Sequence, residues 1–507
     1  MATRDSIQEL LPLADLALPL EGQPPRSRRI YCNRNLRLDT IEWLGFDMDY
    51  TLAIYNQEAI DRLSIEATAA KLVERGYPGA LERMAVPTHF PIRGLLIDKK
   101  LGNILKTDRY RYAKKAFHGT REIGSDARKK LYAHKRIRPG TRRYHSIDTL
   151  YALSEVAVFA AAVDVLEAGG EKLDYGTLFE DVRACIDEAH RDGTIKGEIV
   201  ADPGRYLERD RDLPATLHKL RSAGKKLFLL TNSEPSYTES LMEYLFADGL
   251  AEYPSWRSYF DVIITDAAKP SFFENGRPFA LAAEEEDEGA SAADDGSPGG
   301  RVQQLERGRV YRQGNQAELS QMLSMRDDRV LYVGDHIYGD VLRAKKQSAW
   351  RTLMIIQEMT DELDAMEQSA EEIDRLHRLE SRRYALLDGL RDRQVLLKGL
   401  ERKLAANGLE RGERVEVEAA RLRLRRAIDR ARAQIRAVEG EYNELEERLE
   451  QARHPYWGSP FKAESELSAF GEQVERYACL YTDRVTNLLR YSANHYFRGP
   501  RHRMAHE

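Results

Sequence analysis

Trp43-Leu44-Gly45-Phe46-Asp47-Met48-Asp49-Tyr50-Thr51-Leu52 is an apolar run that ends in two carboxylates one residue apart. It reads as a buried strand whose acids stand where open α/β sheets place their ligands, just beyond the carboxyl end. Two acids two positions apart at a strand end can both reach the ligand crevice, so one can attack while the other moves a proton. Held this close they repel, and they gain most by sharing a divalent cation. A solvated turn at a strand end carries the same signature, so the reading needs support from elsewhere in the chain.

Three later segments supply it. Leu227-Phe228-Leu229-Leu230-Thr231-Asn232-Ser233 is a second buried-strand pattern, ending in hydroxyl and amide groups that suit phosphate oxygens or a helix cap. Asp261-Val262-Ile263-Ile264-Thr265-Asp266-Ala267-Ala268-Lys269-Pro270 places a lysine just past a third apolar run, although most lysines are only solvated charge. Val330-Leu331-Tyr332-Val333-Gly334-Asp335-His336-Ile337-Tyr338-Gly339-Asp340 runs from strand into glycine and acid, with a further acid beyond. Taken singly, that last segment could be a tight turn capping a helix.

In this order the four segments resemble the motif set of the haloacid dehalogenase-like phosphohydrolase superfamily. The resemblance implies a doubly wound α/β fold, a mainly parallel Rossmann-like sheet with a large inserted cap. It makes Asp47 the nucleophile that forms an aspartyl-phosphate and Asp49 the acid and base. Thr231 and Lys269 would hold the phosphoryl oxygens, with Asn232 and Ser233 beside them. Asp335 would join Asp47 and the Asp49 backbone carbonyl around Mg²⁺, with Asp340 as a further acid behind. The chemistry needs that positive charge, because an aspartate attacking a phosphate dianion meets another anion, and uncatalysed monoester hydrolysis demands accelerations of up to ~10²¹-fold.

The wording narrows toward cytosolic purine 5′-nucleotidases that favour inosine and guanosine monophosphates. Gly45 to Leu52, Asp266 to Pro270 with Phe272-Phe273, and Gly334 to Asp340 followed by Trp350-Arg351-Thr352 carry the resemblance, as does Asp181-Val182-Arg183-Ala184-Cys185-Ile186-Asp187-Glu188-Ala189-His190 with Lys196 downstream. On a helix Arg183 and Asp187 are neighbours, which makes them either a surface ion pair or a donor beside an acceptor. A 6-oxopurine offers an acceptor beside an N–H donor and adenine inverts both, so a buried pair of this kind would discriminate against AMP. His190 and Lys196 match further substrate positions, and Tyr151 matches an aromatic that stacks on the purine, although Ala152 stands where the family has an asparagine. Near the C-terminus Gln473, Arg476 and Tyr477, with Lys346 and Arg138, match surroundings of a nucleotide effector site, so the segment reads either as a site for an ATP-like effector or as an ordinary amphipathic helix packed on the core. Transfer of the phosphoryl group to a nucleoside hydroxyl is implied as a secondary activity.

The 507 residues imply two or three structural units, and a net charge of −5 gives no global reason to expect nucleic-acid binding. A basic stretch from Lys106 to Arg143 reads as phosphate attraction or a subunit contact. Cys32, Cys185 and Cys479 lack metal-ligand spacing and fit a reducing cytoplasm. No leader or long apolar run points to a membrane. The expected organisation is an irregular arm over 1–27, a core over 28–56 and 211–356, and a cap over 57–210. An acidic loop over 283–300 lies in the core. Helix patterns run from Ser154 to Leu166 and from Tyr175 to Asp192. Leu424, Ile428, Ala431, Ile435, Val438, Tyr442, Leu445 and Leu449 form a heptad seam, so 357–453 reads as a helical hairpin paired within the chain or, as the rival, between chains. Residues 454–507 would return to the core. A homo-oligomer, dimer or tetramer, is expected. A phosphatase of another small metabolite and a coiled-coil scaffold with an inactive core are the rival functions.

Overall fold

The computed structural model describes residues 24–500 apart from 88, 134, 275, 283–301, 345–347 and 407, so most of the expected arm, the acidic loop and Lys346 lie outside the described residues. Continuous apolar runs become the inner strands of a parallel sheet buried on both faces, with the more polar strands Val310–Gln313 and Leu480–Thr482 toward its edges. The parallel strands are β1 (Trp43–Phe46), β2 (Lys226–Leu230), β3 (Val262–Thr265), β4 (Val310–Gln313), β5 (Val330–Gly334), β6 (Arg351–Ile355) and β7 (Leu480–Thr482). Across the sheet the order is β7-β6-β5-β1-β2-β3-β4, all parallel, with Tyr31–Cys32 and Phe279–Leu281 added antiparallel at the two edges. The chain winds outward from β1 through β4, then returns to the other side of β1 at β5. This is the expected doubly wound α/β fold, and its topological switch lies beside β1, where such sheets open a ligand crevice.

Gly45 shows why the first strand is written as it is. Its register partners are Phe228 on β2 and Tyr332 on β5, whose rings stack with centroids 6.3 Å apart. A Cβ on Gly45 would come within 2.1 Å of the Phe228 ring. Gly45→Ala is therefore expected to cost about 1–3 kcal/mol, as overpacked cores do. Denaturant unfolding of the purified variant checks it.

Between β1 and β2 the chain inserts helices and a second sheet. Leu95–Asp98, Asn103–Thr107, Ala113–His118, Arg121–Glu122 and Tyr144–Ser146 pair antiparallel in five strands. The helices include α1 (Gln57–Glu74), α2 (Leu153–Ala168), α3 (Tyr175–Arg191) and α4 (Thr194–Ala201). α2 is apolar almost all round and accordingly buried, whereas α3 buries one stripe of Leu178, Phe179, Val182, Cys185, Ile186 and Ala189. Asp174 caps α3 by accepting from the N–H groups of Gly176 and Thr177.

Residues 361–459 form a separate compact unit. Its two long helices, α5 (Ala370–Ala405) and α6 (Arg411–Arg453), bury Leu379 against Val438, Leu445 and Leu449, with Leu386 and Tyr442 packed alongside. The ion pairs Arg425–Glu401 (2.7 Å) and Arg448–Glu372 (3.7 Å) run in opposite sequence directions, so the helices are antiparallel. The last helix of the other unit is α7 (Ala469–Tyr477). Among the described residues, no helix is long and apolar enough to cross a membrane.

Candidate active site

Four strand ends converge on one crevice. Asp47 follows β1, and its N–H donates to the Val333 carbonyl of β5 at 2.9 Å, which fixes the first carboxylate between the two strands. The turns after β2 and β3 are laced together. Ala267 N–H donates to the Thr231 carbonyl (3.0 Å), Asp266 N–H donates to that of Ser233 (2.9 Å), and the Asn232 amide accepts from Lys269 N–H (2.6 Å) while donating to the Lys269 carbonyl (3.0 Å). Asp266 and Ala268 adopt left-handed backbone, with φ of 46° and 55°. Such strain persists only where the surroundings over-determine it, and these cross-links do so.

Lys269 Nζ stands 2.8 Å from Asp47 Oδ2 and donates to Asp340 Oδ1 at 2.8 Å and to the Tyr332 hydroxyl at 3.0 Å. Asp49 has a different set of partners. Tyr55 OH and Ser233 Oγ each donate to one of its oxygens at 2.6 Å, and Tyr237 OH lies 3.0 Å from Tyr55 OH. The two acids of the first motif therefore occupy separate environments.

Carboxylate oxygens of Asp47, Asp335 and Asp340, all buried, lie within 4.8 Å of one another. Burial pushes the Asp47 carboxyl up to about 7, with Lys269 pulling down and Asp340 pushing further up. Burial likewise lifts Asp335 well above the usual carboxylate range against the pull of Arg93. Burial also disfavours the charged Lys269, but Asp340 and Asp47 outweigh it and hold its ammonium well above the normal lysine value. Among the described residues, the buried carboxylates of Asp47, Asp335 and Asp340 have two cationic partners, Lys269 and Arg93. An excess of buried negative charge with an all-oxygen donor set suits a hard divalent cation such as Mg²⁺. Asp335 is the least committed of the three, with Arg93 at 3.9 Å as its carboxylate's ion-pair partner.

These values fix a pH dependence. An acid raised from 3.8 to about 7 binds more protons in the native state, so its stability contribution is full below the unfolded value and is lost as pH rises through about 7. Without divalent cations, the unfolding midpoint should fall from about pH 5 to about pH 8, and less steeply in Asp47→Asn. Denaturant titrations in chelator at several pH values test this.

A cavity of about 410 Å³ joins Asp47, Asp49, Thr231 and Asp335 to Tyr151, His190 and Lys196 of the inserted segment. Asn232 and Ser233 also line it. Tyr151 and His190 meet with ring centroids 4.5 Å apart, and burial, with Lys196 adding to it, holds His190 down at about 4, neutral at physiological pH. Lys196 pairs with Glu234 at 2.5 Å. Arg183 stands apart from its sequence neighbour: its Nε lies 3.4 Å from Glu155 Oε2 and its Nη1 3.8 Å from Glu180, while Asp187 is exposed. Neither Arg183 nor Asp187 belongs to the cavity lining. Gln473, Arg476 and Tyr477 share α7, with the Arg476 guanidinium 5.4 Å over the Tyr477 ring, and Arg138 is exposed in the inserted segment.

Sequence reasoning missed Tyr55, Tyr237, Tyr332, Arg93 and Glu155. Tyr237, Arg93 and Glu155 act through contacts made far along the chain, whereas Tyr55 lies six residues from Asp49 and Tyr332 within the fourth motif.

Residues 30–507 match the sequence profile of the 5′ nucleotidase family. A 5′-nucleotidase domain-containing protein of Dictyostelium discoideum is 28% identical over 475 residues, which is 91% of this chain and 72% of that protein. 5′-Nucleotidase domain-containing protein 2 is 32% identical over 348 residues in Rattus norvegicus and 31% identical over 364 residues in Homo sapiens. Those matches take in 66% and 69% of this chain and 60% and 67% of the relatives, so the chain spans under three quarters of each relative's length. Among solved structures, the chain is similar to a predicted phosphoglycolate phosphatase from Haemophilus somnus 129PT (13% identity, 62% of this chain, 85% of that chain, TM-score 0.25). It is also similar to L-2-haloacid dehalogenase from Xanthobacter autotrophicus (14% identity, 62% of this chain, 78% of that chain, TM-score 0.21). By the profile match, which takes in nearly the whole sequence, the chain belongs to the 5′ nucleotidase family of hydrolases.

Proposed function

We propose that the chain is a Mg²⁺-dependent purine nucleoside 5′-monophosphate phosphohydrolase that works through an aspartyl-phosphate on Asp47. The observation that carries this reading is the division of labour between Asp47, set against Lys269, and Asp49, held by Tyr55 and Ser233. Two carboxylates in different environments are the signature of a nucleophile and a separate acid and base. A divalent cation held by Asp47 and Asp335, with the Asp49 carbonyl and Asp340 nearby, would supply positive charge to the phosphoryl oxygens.

In the first step an Asp47 oxygen forms a bond to phosphorus as the bond to the nucleoside 5′-oxygen breaks, and Asp49 gives that oxygen a proton. In the second, Asp49 takes a proton from water, which attacks phosphorus and returns Asp47 as free carboxylate. A nucleoside hydroxyl in place of water gives phosphotransfer. Lys269 balances the phosphoryl charge, and the Thr231 hydroxyl donates to a phosphoryl oxygen. Asn232 acts through the Lys269 backbone and Ser233 through Asp49.

Tyr151 and His190 would stack the purine. Arg183, Asp187 and His190 follow one another at i, i+4 and i+7, so all three share a face of α3, which His190 carries into the cavity. The charges of Asp187, Glu155 and Arg183 all act on the Tyr151 phenol, which supports a base-reading role beside it. We assign the preference for IMP and GMP to this group. An ATP-like effector near α7 and Arg138, a cytoplasmic setting and a homo-oligomer complete the proposal.

A panel of nucleoside monophosphates with and without Mg²⁺ tests the reading. IMP and GMP should lead, and chelator should abolish phosphate release. Asp187→Asn should lower the IMP-to-AMP ratio of kcat/KM by roughly tenfold or more, because an amide can present either polarity to N1. Equal use of pyrimidine monophosphates would overturn the purine assignment.

A further inference from the structure

We infer that Arg93, supplied by the inserted segment, is a positioning residue that holds the Asp335 loop in the shape that binds the divalent cation. Arg93 is 1% exposed, and no part of the reaction described above uses it. Its Nη1 donates to the Asp335 backbone carbonyl at 2.7 Å and lies 3.9 Å from the Asp335 carboxylate. Its Nε and Nη2 bond the two oxygens of Glu358 at 2.5 and 2.8 Å, a bidentate fork anchored just past β6. The guanidinium plane sits 5.0 Å from the Phe470 ring of α7. Gly94 makes room for that approach, since a Cβ there would stand 2.6 Å from Phe470 Cβ and its φ is +85°.

Glu358 and Phe470 both hold Arg93, which in turn bonds the Asp335 loop. A planar, always-charged fork can satisfy Glu358 and the Asp335 carbonyl together, whereas a lysine ammonium cannot span both with the same directionality. A carbonyl held in this way fixes the backbone from which the Asp335 carboxylate projects. Groups that orient a metal ligand typically change metal affinity by ~10–100-fold when removed. The inserted segment thus completes a cation site whose carboxylates all belong to the core, and this edge of the insertion is tied down.

The inference rests on reading Asp47, Asp335 and Asp340 as a cation site, and the experiment separates the two. Mn²⁺ alone serves as the probe, with direct binding to the full chain read by its electron paramagnetic resonance signal. Mg²⁺ half-saturation of IMP hydrolysis is measured in parallel. Parent protein should bind Mn²⁺. Arg93→Lys should weaken Mn²⁺ binding and raise the Mg²⁺ half-saturation at least tenfold, with kcat at saturating Mg²⁺ and KM for IMP changed less than about threefold. Glu358→Gln, which keeps the bond to the Asp335 carbonyl, should move both readouts the same way by less. If Arg93→Lys unfolds, the double variant Arg93→Met with Glu358→Met removes the pair without stranding a charge and should show the same loss. Parent protein that binds no Mn²⁺ overturns the cation site itself. A parent that binds and folded variants that bind equally well overturn the role of Arg93 alone, as does a fall in kcat at saturating Mg²⁺ with unchanged Mn²⁺ affinity.

Discussion

Asp47→Asn should release phosphate at least ~10⁴-fold more slowly than the parent protein, because the amide removes the nucleophile that no neighbour can replace. Asp49 cannot substitute, since both its oxygens accept hydrogen bonds from Tyr55 and Ser233. The fold should survive. Lys269 keeps Asp340 and Tyr332 as partners, and the variant loses a carboxyl that burial already pushes up to about 7. Its thermal midpoint without Mg²⁺ should therefore match or exceed that of the parent at neutral pH. Rapid quench of the parent with labelled substrate should trap phosphate on Asp47, and the variant should trap none. A verified Asp47→Asn protein with even a tenth of parental activity would remove the aspartyl-phosphate from the mechanism.

Lys269→Met is expected to damage both catalysis and stability. The ammonium is the positive charge shared by Asp47 and Asp340, each 2.8 Å away, and all three groups are buried. Removing one member of a buried charge network strands the others, a loss of about 3–5 kcal/mol in comparable cases. Turnover should fall on the order of 10³-fold, because a fixed charge aimed at the phosphoryl oxygens is also gone. Lys269→Arg should not rescue it, since a planar fork cannot replace a point charge among three acceptors at 2.8–3.0 Å. Urea titrations at about pH 7.5 and about pH 5 separate the causes, because protonation of the stranded acids at low pH should shrink the stability loss. A loss equal at both pH values would mean that packing, not charge, sets the effect.

The parallel core was legible because strands buried on both faces are written as unbroken apolar runs, and each of the four motifs begins where such a run stops. The long helices were legible through their period. The five-stranded sheet was not. Its strands Asn103–Thr107 and Ala113–His118 carry Lys106, Lys114 and Lys115 through a stretch whose basic character dominates its pattern, yet Asn103 to Thr107 is entirely buried. Arg183 shows the limit of helical spacing as a guide. It lies four positions before Asp187, but its contact is with Glu155 on α2, a buried acid that no local rule selects. The second partner of Asp49 was within reach of the sequence, since Ser233 belongs to a quoted motif. Tyr237, which backs Tyr55, was not, because α helices facing a sheet edge leave no trace of which residue faces which strand.

Tyr332 belongs to two neighbourhoods at once. Its ring packs in the aromatic cluster with Phe228, Phe273 and Trp350, at centroid distances of 6.3, 5.9 and 5.8 Å, while its hydroxyl touches Lys269 and the Leu230 carbonyl. Interiors generally tolerate drift among apolar residues of similar volume. Here that freedom is unevenly distributed. A lineage that exchanges Tyr332 for phenylalanine keeps the packing and loses an acceptor beside the lysine, and one that alters Trp350 or Gly45 re-aims the phenol without touching the crevice. Neutral divergence should therefore accumulate in the inserted helices and the α5–α6 unit sooner than around this ring, and mutational robustness should be lowest where the interior and the chemistry share a side chain.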